Sequence, residues 1–401
     1  MITQAYWGFV MNFERSIDRD SANQILDPSM PFIQVLMGPR QVGKSTFVDE
    51  VVKGWKGKKI VETADRVVTP TTEWIEFLWQ RARELDGPVF LAIDEIQKIK
   101  GWADAIKPLF DKDRNNPNLR VLVTGSASLT IQTGLNDSLA GRYELIRYPH
   151  WGFDDCKKAF DWDFATYLKF GGYPAPSRMI SNVERWQNYM KDSIVEPVLG
   201  RDLQTIVNLQ KPALLRQLFE LVMSFPAQEI SYQKLLGQLQ DRGNAATIKH
   251  YLNVLEGGFL IKVLQKFSTN QIQTKSSTPK ILPLAPALVH AFSDPTSVDR
   301  EPEWKGRLLE VAVGAHLERL GGEVFYWREG NEEVDFVVKK NRIVIGIEVK
   351  SGRRKSERGL MKFKARFPQA KTMLLDWQAC EKLLSVKPDF DSLATLAGLK
   401  Q

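Results

Sequence analysis

Cysteine and histidine are scarce in this chain. Of 401 residues two are cysteine, Cys156 and Cys380, and four are histidine, at positions 150, 250, 290 and 316. The cysteines lie far apart, which argues against a disulfide framework and for a reducing, cytoplasmic setting. No pair among these residues has the spacing of zinc ligands. Apolar runs stay well short of the roughly 18 residues that a membrane span needs, so no membrane partner is expected. The opening MITQAYWGFVMNFERS has no basic stretch followed by an apolar one, and a signal peptide is not indicated. No internal repeat is evident.

What is present suits a globular protein of several domains. Apolar residues make up 43% and charged residues 26%, so each part of a chain this long can bury its own core. Fifty-five Lys and Arg stand against 48 Asp and Glu, a net charge of +7, which is compatible with nucleic acid without requiring it. Local clusters say more: Lys53 to Lys59, and Arg353, Arg354, Lys355 and Arg358, form positive patches or plain solvated faces.

Three apolar runs organise the first part: FIQVLM (32–37), VFLAID (89–94) and LRVLVTG (119–125). Their continuous apolar character, with helical stretches between, predicts a mostly parallel sheet. From about Trp162 to Phe225 the pattern is helical, broken by the turn GGYPAP (171–176). Helices are then expected over Tyr232 to Leu239 and Ala245 to Glu256, followed by the β-prone FLIKVL; two helices and a hairpin are the pattern of a winged helix. The polar stretch 268–280 reads as a loop. A last unit starts near Glu303, with a helix followed by the β-prone runs EVDFVVKK and RIVIGIEVKSG.

The segment Gly38, Pro39, Arg40, Gln41, Val42, Gly43, Lys44, Ser45, followed by Thr46, fits G-x-x-x-x-G-K-[ST] between a strand and a helix. Glycine lets such a loop turn its N–H groups toward phosphate oxygens, and the helix start adds unpaired donors. Lys44 is then expected to reach the β- and γ-phosphates of ATP, with the Ser45 hydroxyl in the shell of Mg2+. Asp94 and Glu95 end the second run, where the first carboxylate can hold the metal and the second can act as base toward water. The plain alternative is two solvated carboxylates at a strand end. Ser126 is the candidate sensor of the γ-phosphate or water, against a simple Ser-rich turn. Arg142, in LAGRYEL, is the candidate for neutralising charge on the transferred phosphoryl group, from its own subunit or a neighbour, against an ordinary surface arginine. Action from a neighbour requires self-association.

In MGPRQVGKST, LAIDEIQ, VLVTGSAS, LAGRYELI and FGGYP the chain resembles the AAA-type ATPases that carry a carboxy-terminal domain of the DUF4143 type. The resemblance covers nearly the whole chain. It implies an α/β protein with a P-loop ATPase core (1–155), a helical lid (156–225), a winged-helix-like segment (226–280) and a carboxy-terminal α/β domain (281–401). That last domain resembles the PD-(D/E)xK, restriction-endonuclease-like nucleases. Asp335 precedes Glu348-x-Lys350, and residues two apart on a strand share a face. With Glu310 from the preceding helix these carboxylates are candidate magnesium ligands, and Lys350 the candidate nuclease lysine. Valine stands at 334 where proline heads that motif. Three readings stay open here: DNA cleavage, DNA or protein binding without cleavage, and carboxylates that partner the nearby arginines. Around the winged-helix pattern, Gln240, Arg242, Asn244, Lys249 and His250 offer groups for phosphate or base edges.

The expected function is an Mg2+-dependent ATPase coupled to DNA binding or remodelling, such as strand separation or branch migration. A protein-interaction switch gated by ATP, with a protein partner, and an ATP-regulated nuclease are the alternatives.

Overall fold

The computed structural model describes residues 14–126, 135, 138–203, 211–239, 244–268, 277–294, 302–351 and 357–399. Gln240, Arg242, Arg353, Arg354 and Lys355 lie outside the described residues. The chain divides after Pro149 into two compact units.

The first unit is built on five strands: β1 (Ile33–Met37), β2 (Lys58–Thr63), β3 (Val89–Asp94), β4 (Leu119–Gly125) and β5 (Tyr143–Arg147), all parallel in the order β2-β3-β4-β1-β5. The three apolar runs are the three inner strands, and every residue of β1 is buried. Central parallel strands lose water on both faces, which is why they read as unbroken apolar sequence. The edge strand β2 did not read as a strand, because Lys58 and Lys59 give its start the look of a charged patch. Helices α1 (Asp18–Leu26), α2 (Lys44–Gly54), α3 (Thr72–Arg83) and α4 (Trp102–Asp113) complete the unit. Helix α3 buries Ile75, Leu78, Trp79 and Ala82, one stripe at helical spacing. The Trp79 Nε1–H and the Arg83 guanidinium both donate to Asp113 Oδ2 at 2.7 Å, tying α3 to α4.

The second unit opens with α5 (Phe153–Phe160), α6 (Phe164–Phe170) and α7 (Val183–Tyr189); α7 runs on through wide π-type turns over Met190–Val195 and Val198–Asp202. Next comes α8 (Pro212–Ser224), β6 (Gln228–Glu229), α9 (Tyr232–Gln238), α10 (Ala245–Gly257), β7 (Ile261–Leu264), β8 (Lys280–Pro283) and α11 (Pro286–Phe292). Ser231 and Asn244 cap α9 and α10 by accepting from the N–H groups of Lys234 and Thr247, so side chains fix both helix starts. Strands β6, β8 and β7 form an antiparallel sheet in that order. Lys280, expected in a loop, is the first residue of β8 and is buried.

The carboxy-terminal part is α12 (Pro302–Leu317), β9 (Glu323–Glu329), β10 (Glu332–Lys340), β11 (Ile343–Val349), α13 (Arg358–Arg366), β12 (Lys371–Leu375), α14 (Trp377–Ser385) and α15 (Phe390–Leu396). Its sheet runs β12-β11-β10-β9, antiparallel except for β11 with β12. Trp327, Val334, Val337, Leu360 and Phe363 pack into one core under α13. Ion pairing of Arg328 with Glu229, and the Tyr326 hydroxyl donating to the Thr278 carbonyl, join this sheet to the smaller one. Among the described residues no helix is long and apolar enough to cross a membrane.

Candidate functional site

The loop between β1 and α2 holds residues 38–43. Gly38 lies so close to the residue that follows β5 that an added Cβ would sit 1.9 Å from the Tyr148 carbonyl oxygen, so only glycine fits there. Gly43, at φ 93°, takes the left-handed conformation that turns the loop into α2. Gln41 also has a positive φ of 56°. The loop turns back on itself, and α2 starts at Lys44 with Gly43 as its cap, a residue with no side chain to bond the first N–H groups. Lys44 is buried, and its ammonium donates to the carbonyls of Gly38 at 3.0 Å and Pro39 at 2.7 Å. Pro39 and Val42 are buried, Arg40 and Thr46 half-buried, and Ser45 exposed.

Strand β4 lies between β1 and β3, so their carboxyl ends bring three sequence-distant segments together. Ser45 Oγ donates to Asp94 Oδ2 at 2.9 Å. The other Asp94 oxygen accepts from the Glu95 N–H at 3.0 Å and from the Thr124 hydroxyl. Glu95 stands at φ 55°, a left-handed bend that ends β3. Its Oε2 accepts from Ser126 Oγ at 3.2 Å and from Gln97 Nε2, and Gln97 Nε2 also donates to Ser126 Oγ at 3.2 Å. Lys44, Ser45, Asp94, Glu95 and Ser126 thus gather at the carboxyl ends of the inner strands. Gln97 and Thr124 were missed. Thr124 had a signal, a hydroxyl within an apolar strand, and Gln97 stood in plain view in DEIQ without a role.

Magnesium takes oxygen ligands and keeps most of its water, with one or two protein donors at phosphate sites. A serine hydroxyl 2.9 Å from a carboxylate oxygen is such a donor pair. Ser45 and Asp94 therefore fit the metal that the nucleotide chemistry implies.

Arg142 does not join this group. Its carbonyl accepts from the Ile33 N–H at 3.0 Å, at the amino end of β1, whereas the loop leaves from the other end of that five-residue strand. Such a strand spans roughly 17 Å. The Arg142 guanidinium makes a two-pronged contact with Asp111, at 2.7 and 3.0 Å, and that contact holds the Asp111 carboxyl below its ordinary pKa. Within one chain this arginine stands away from the loop.

In the second unit the expected carboxylates do converge, but around a cation of the chain's own. Lys280 Nζ pairs with Glu310 and lies 3.6 Å from Asp335 Oδ1. Asp335 Oδ2 accepts from the Val349 N–H at 2.8 Å, and Glu348 pairs with Lys350. Burial pushes the carboxyls of Glu310 and Glu348 up, and repulsion from Asp335 adds to it. Burial works against the Lys280 ammonium, but Glu310 and Asp335 outweigh it and keep the group charged. Among the described residues no three His, Cys, Asp or Glu side chains are arranged to hold a metal ion. The magnesium expected at Glu310, Asp335 and Glu348 does not fit, because an ammonium stands among these groups. Lys280 was missed, hidden at the end of a polar stretch.

Residues 31–156 match the family model described as an AAA domain. Residues 161–299 and 305–382 match two models described as domains of unknown function, DUF8612 and DUF4143. Uncharacterised proteins of Mycobacterium tuberculosis and Mycobacterium bovis are each 26% identical over 337 residues, which is 79% of this chain and 70% of theirs. A Walker-type ATPase of Pyrococcus abyssi aligns at 15% identity and a TM-score of 0.42, over 70% of this chain and 95% of that one. On the matched models and the sheet described above, the chain carries a P-loop ATPase fold of the AAA type, with a DUF4143 domain toward its carboxyl end.

Proposed function

We propose that this chain is a magnesium-dependent ATPase whose cycle drives work on DNA. The observation that carries the reading is the Ser45–Asp94 contact of 2.9 Å, beside a glutamate that Ser126 and Gln97 hold. In this reading the loop N–H groups and the start of α2 bind the phosphates. Lys44 leaves the loop carbonyls and donates to β- and γ-phosphate oxygens. Ser45 and Asp94 would hold magnesium, whose positive charge would offset the charge that builds on the phosphates. Glu95 accepts the proton of the attacking water, and Ser126 and Gln97 orient its carboxylate. Arg142 serves a neighbouring copy, so the active form is an oligomer.

The DNA part rests on charge and on the second unit. Helices α9 and α10 with the sheet β6-β8-β7 are read as a winged helix. Lys249 and His250 are exposed on α10, where they are available to phosphate or base edges. Both cysteines are buried and neither is in a disulfide, which suits work in the cytoplasm. The test is ATP turnover with single-stranded, duplex, forked and four-way DNA, together with binding at several salt concentrations. Stimulation by one of these, with affinity falling steeply as salt rises, is the expected result. No stimulation and no binding at low salt would remove DNA from the proposal and leave the ATPase standing.

A further inference from the structure

The nuclease-like centre of the second unit contains a feature that its motif does not predict. Lys280 comes from β8, in the sheet β6-β8-β7, and not from the four-stranded sheet that carries Asp335 and Glu348. Its ammonium pairs with Glu310, lies 3.6 Å from Asp335 Oδ1 and donates to the Asp335 carbonyl at 3.2 Å. It also lies 4.9 Å from the centre of the Phe336 ring, whose face favours a cation. One buried, positively charged group therefore meets two of the three carboxylates that were candidates for the metal. A divalent cation brought to the same oxygens would meet strong repulsion from the ammonium, little screened in a buried site. It would also have to separate a buried pair, which leaves a charge without its partner.

Glu348 also has an ammonium of the chain's own beside it. Glu348 is only 4% exposed; its Oε1 is taken by Lys350 and its Oε2 is buried without a hydrogen-bond partner. Glu310, Asp335 and Glu348 thus share two ammoniums, those of Lys280 and Lys350.

We infer that Lys280 takes the place of the divalent cation in this centre. The cluster is then a clasp between the small sheet and the carboxy-terminal α/β fold, and not a metal site for phosphodiester cleavage. This inference is independent of the nucleotide chemistry at Lys44.

The test counts Mn2+ bound to the full, nucleotide-free chain by electron paramagnetic resonance. Asp94→Asn is present throughout, to remove the metal position of the first unit. With Lys280 intact, the chain is expected to bind no Mn2+ that depends on Asp335. Adding Lys280→Met is expected to create one bound Mn2+, lost again with Asp335→Asn. Mn2+ uptake with Lys280 intact that disappears with Asp335→Asn overturns the inference, and so does a folded Lys280→Met chain that takes up none. Should Lys280→Met not fold, comparing the Lys280 chain with and without Asp335→Asn still decides: equal uptake supports the clasp, and a loss overturns it.

Discussion

Lys44 and Lys280 are buried to the same degree, each 6% exposed, yet the contacts that mark them differ. Lys44 donates to backbone carbonyls of its own loop, which carry no net charge. Lys280 is held by carboxylates on α12 and β10. A triphosphate offers Lys44 a better partner than a carbonyl, so that site is built to be opened by its ligand. Nothing comparable draws Lys280 away from a carboxylate in a buried pair. Burial alone does not mark a lysine as functional. The charge of what it leans on does.

The largest effect expected from this contrast is on stability. Lys280→Met leaves the buried Asp335 and the half-buried Glu310 without their cation, a change that costs about 3–5 kcal/mol where one partner of a buried pair is removed. Denaturant unfolding of the second unit, followed by its own tryptophans, measures it. Adding Glu310→Gln is expected to recover part of the loss. A Lys280→Met chain as stable as the parent would erase the distinction between the two lysines.

Next comes turnover. Lys44→Ala is expected to lower ATP hydrolysis about 100- to 1000-fold, the usual cost of losing a donor aimed at developing charge, while leaving the fold intact. Circular dichroism beside a phosphate-release assay checks both halves.

A smaller effect is expected at Gln97, which touches Glu95 and Ser126. Gln97→Ala is expected to reduce kcat about tenfold to a hundredfold through a misplaced base, with KM for ATP nearly unchanged. A rise in KM at constant kcat would move Gln97 from orienting Glu95 to binding the nucleotide.

The smallest concerns pH. Burial, with repulsion from Asp335, raises the Glu348 carboxyl from 4.5 to about 7. The folded state then holds a proton that the unfolded state has released, so this group's contribution to stability falls as pH rises from about 4.5 to 7. Glu348→Gln is expected to flatten the dependence of Tm on pH in that range. An equally steep or steeper curve would contradict the shift.

How much of this was legible depended on whether the signal was local. Residues 38–45 and the pair Asp94 and Glu95 at the end of β3 each carry their chemistry in consecutive residues, and the apolar inner strands mark themselves. Asp335 and Glu348-x-Lys350 were found because strand spacing places them. Three things were not visible. Strand β2 begins with lysines because an edge strand tolerates charge. Arg142 immediately precedes β5, and only the register of β5 against β1 shows that it stands at the far end of the sheet. Lys280 lies 30 residues from Glu310 and 55 from Asp335, and no local pattern links a β8 residue to a helix and a strand that far along.

The most direct measurement is ATP binding and turnover by Glu95→Gln in the presence of magnesium. Retained nucleotide with hydrolysis slowed about 100-fold or more is predicted for loss of a general base. Turnover equal to that of the parent chain would contradict the account.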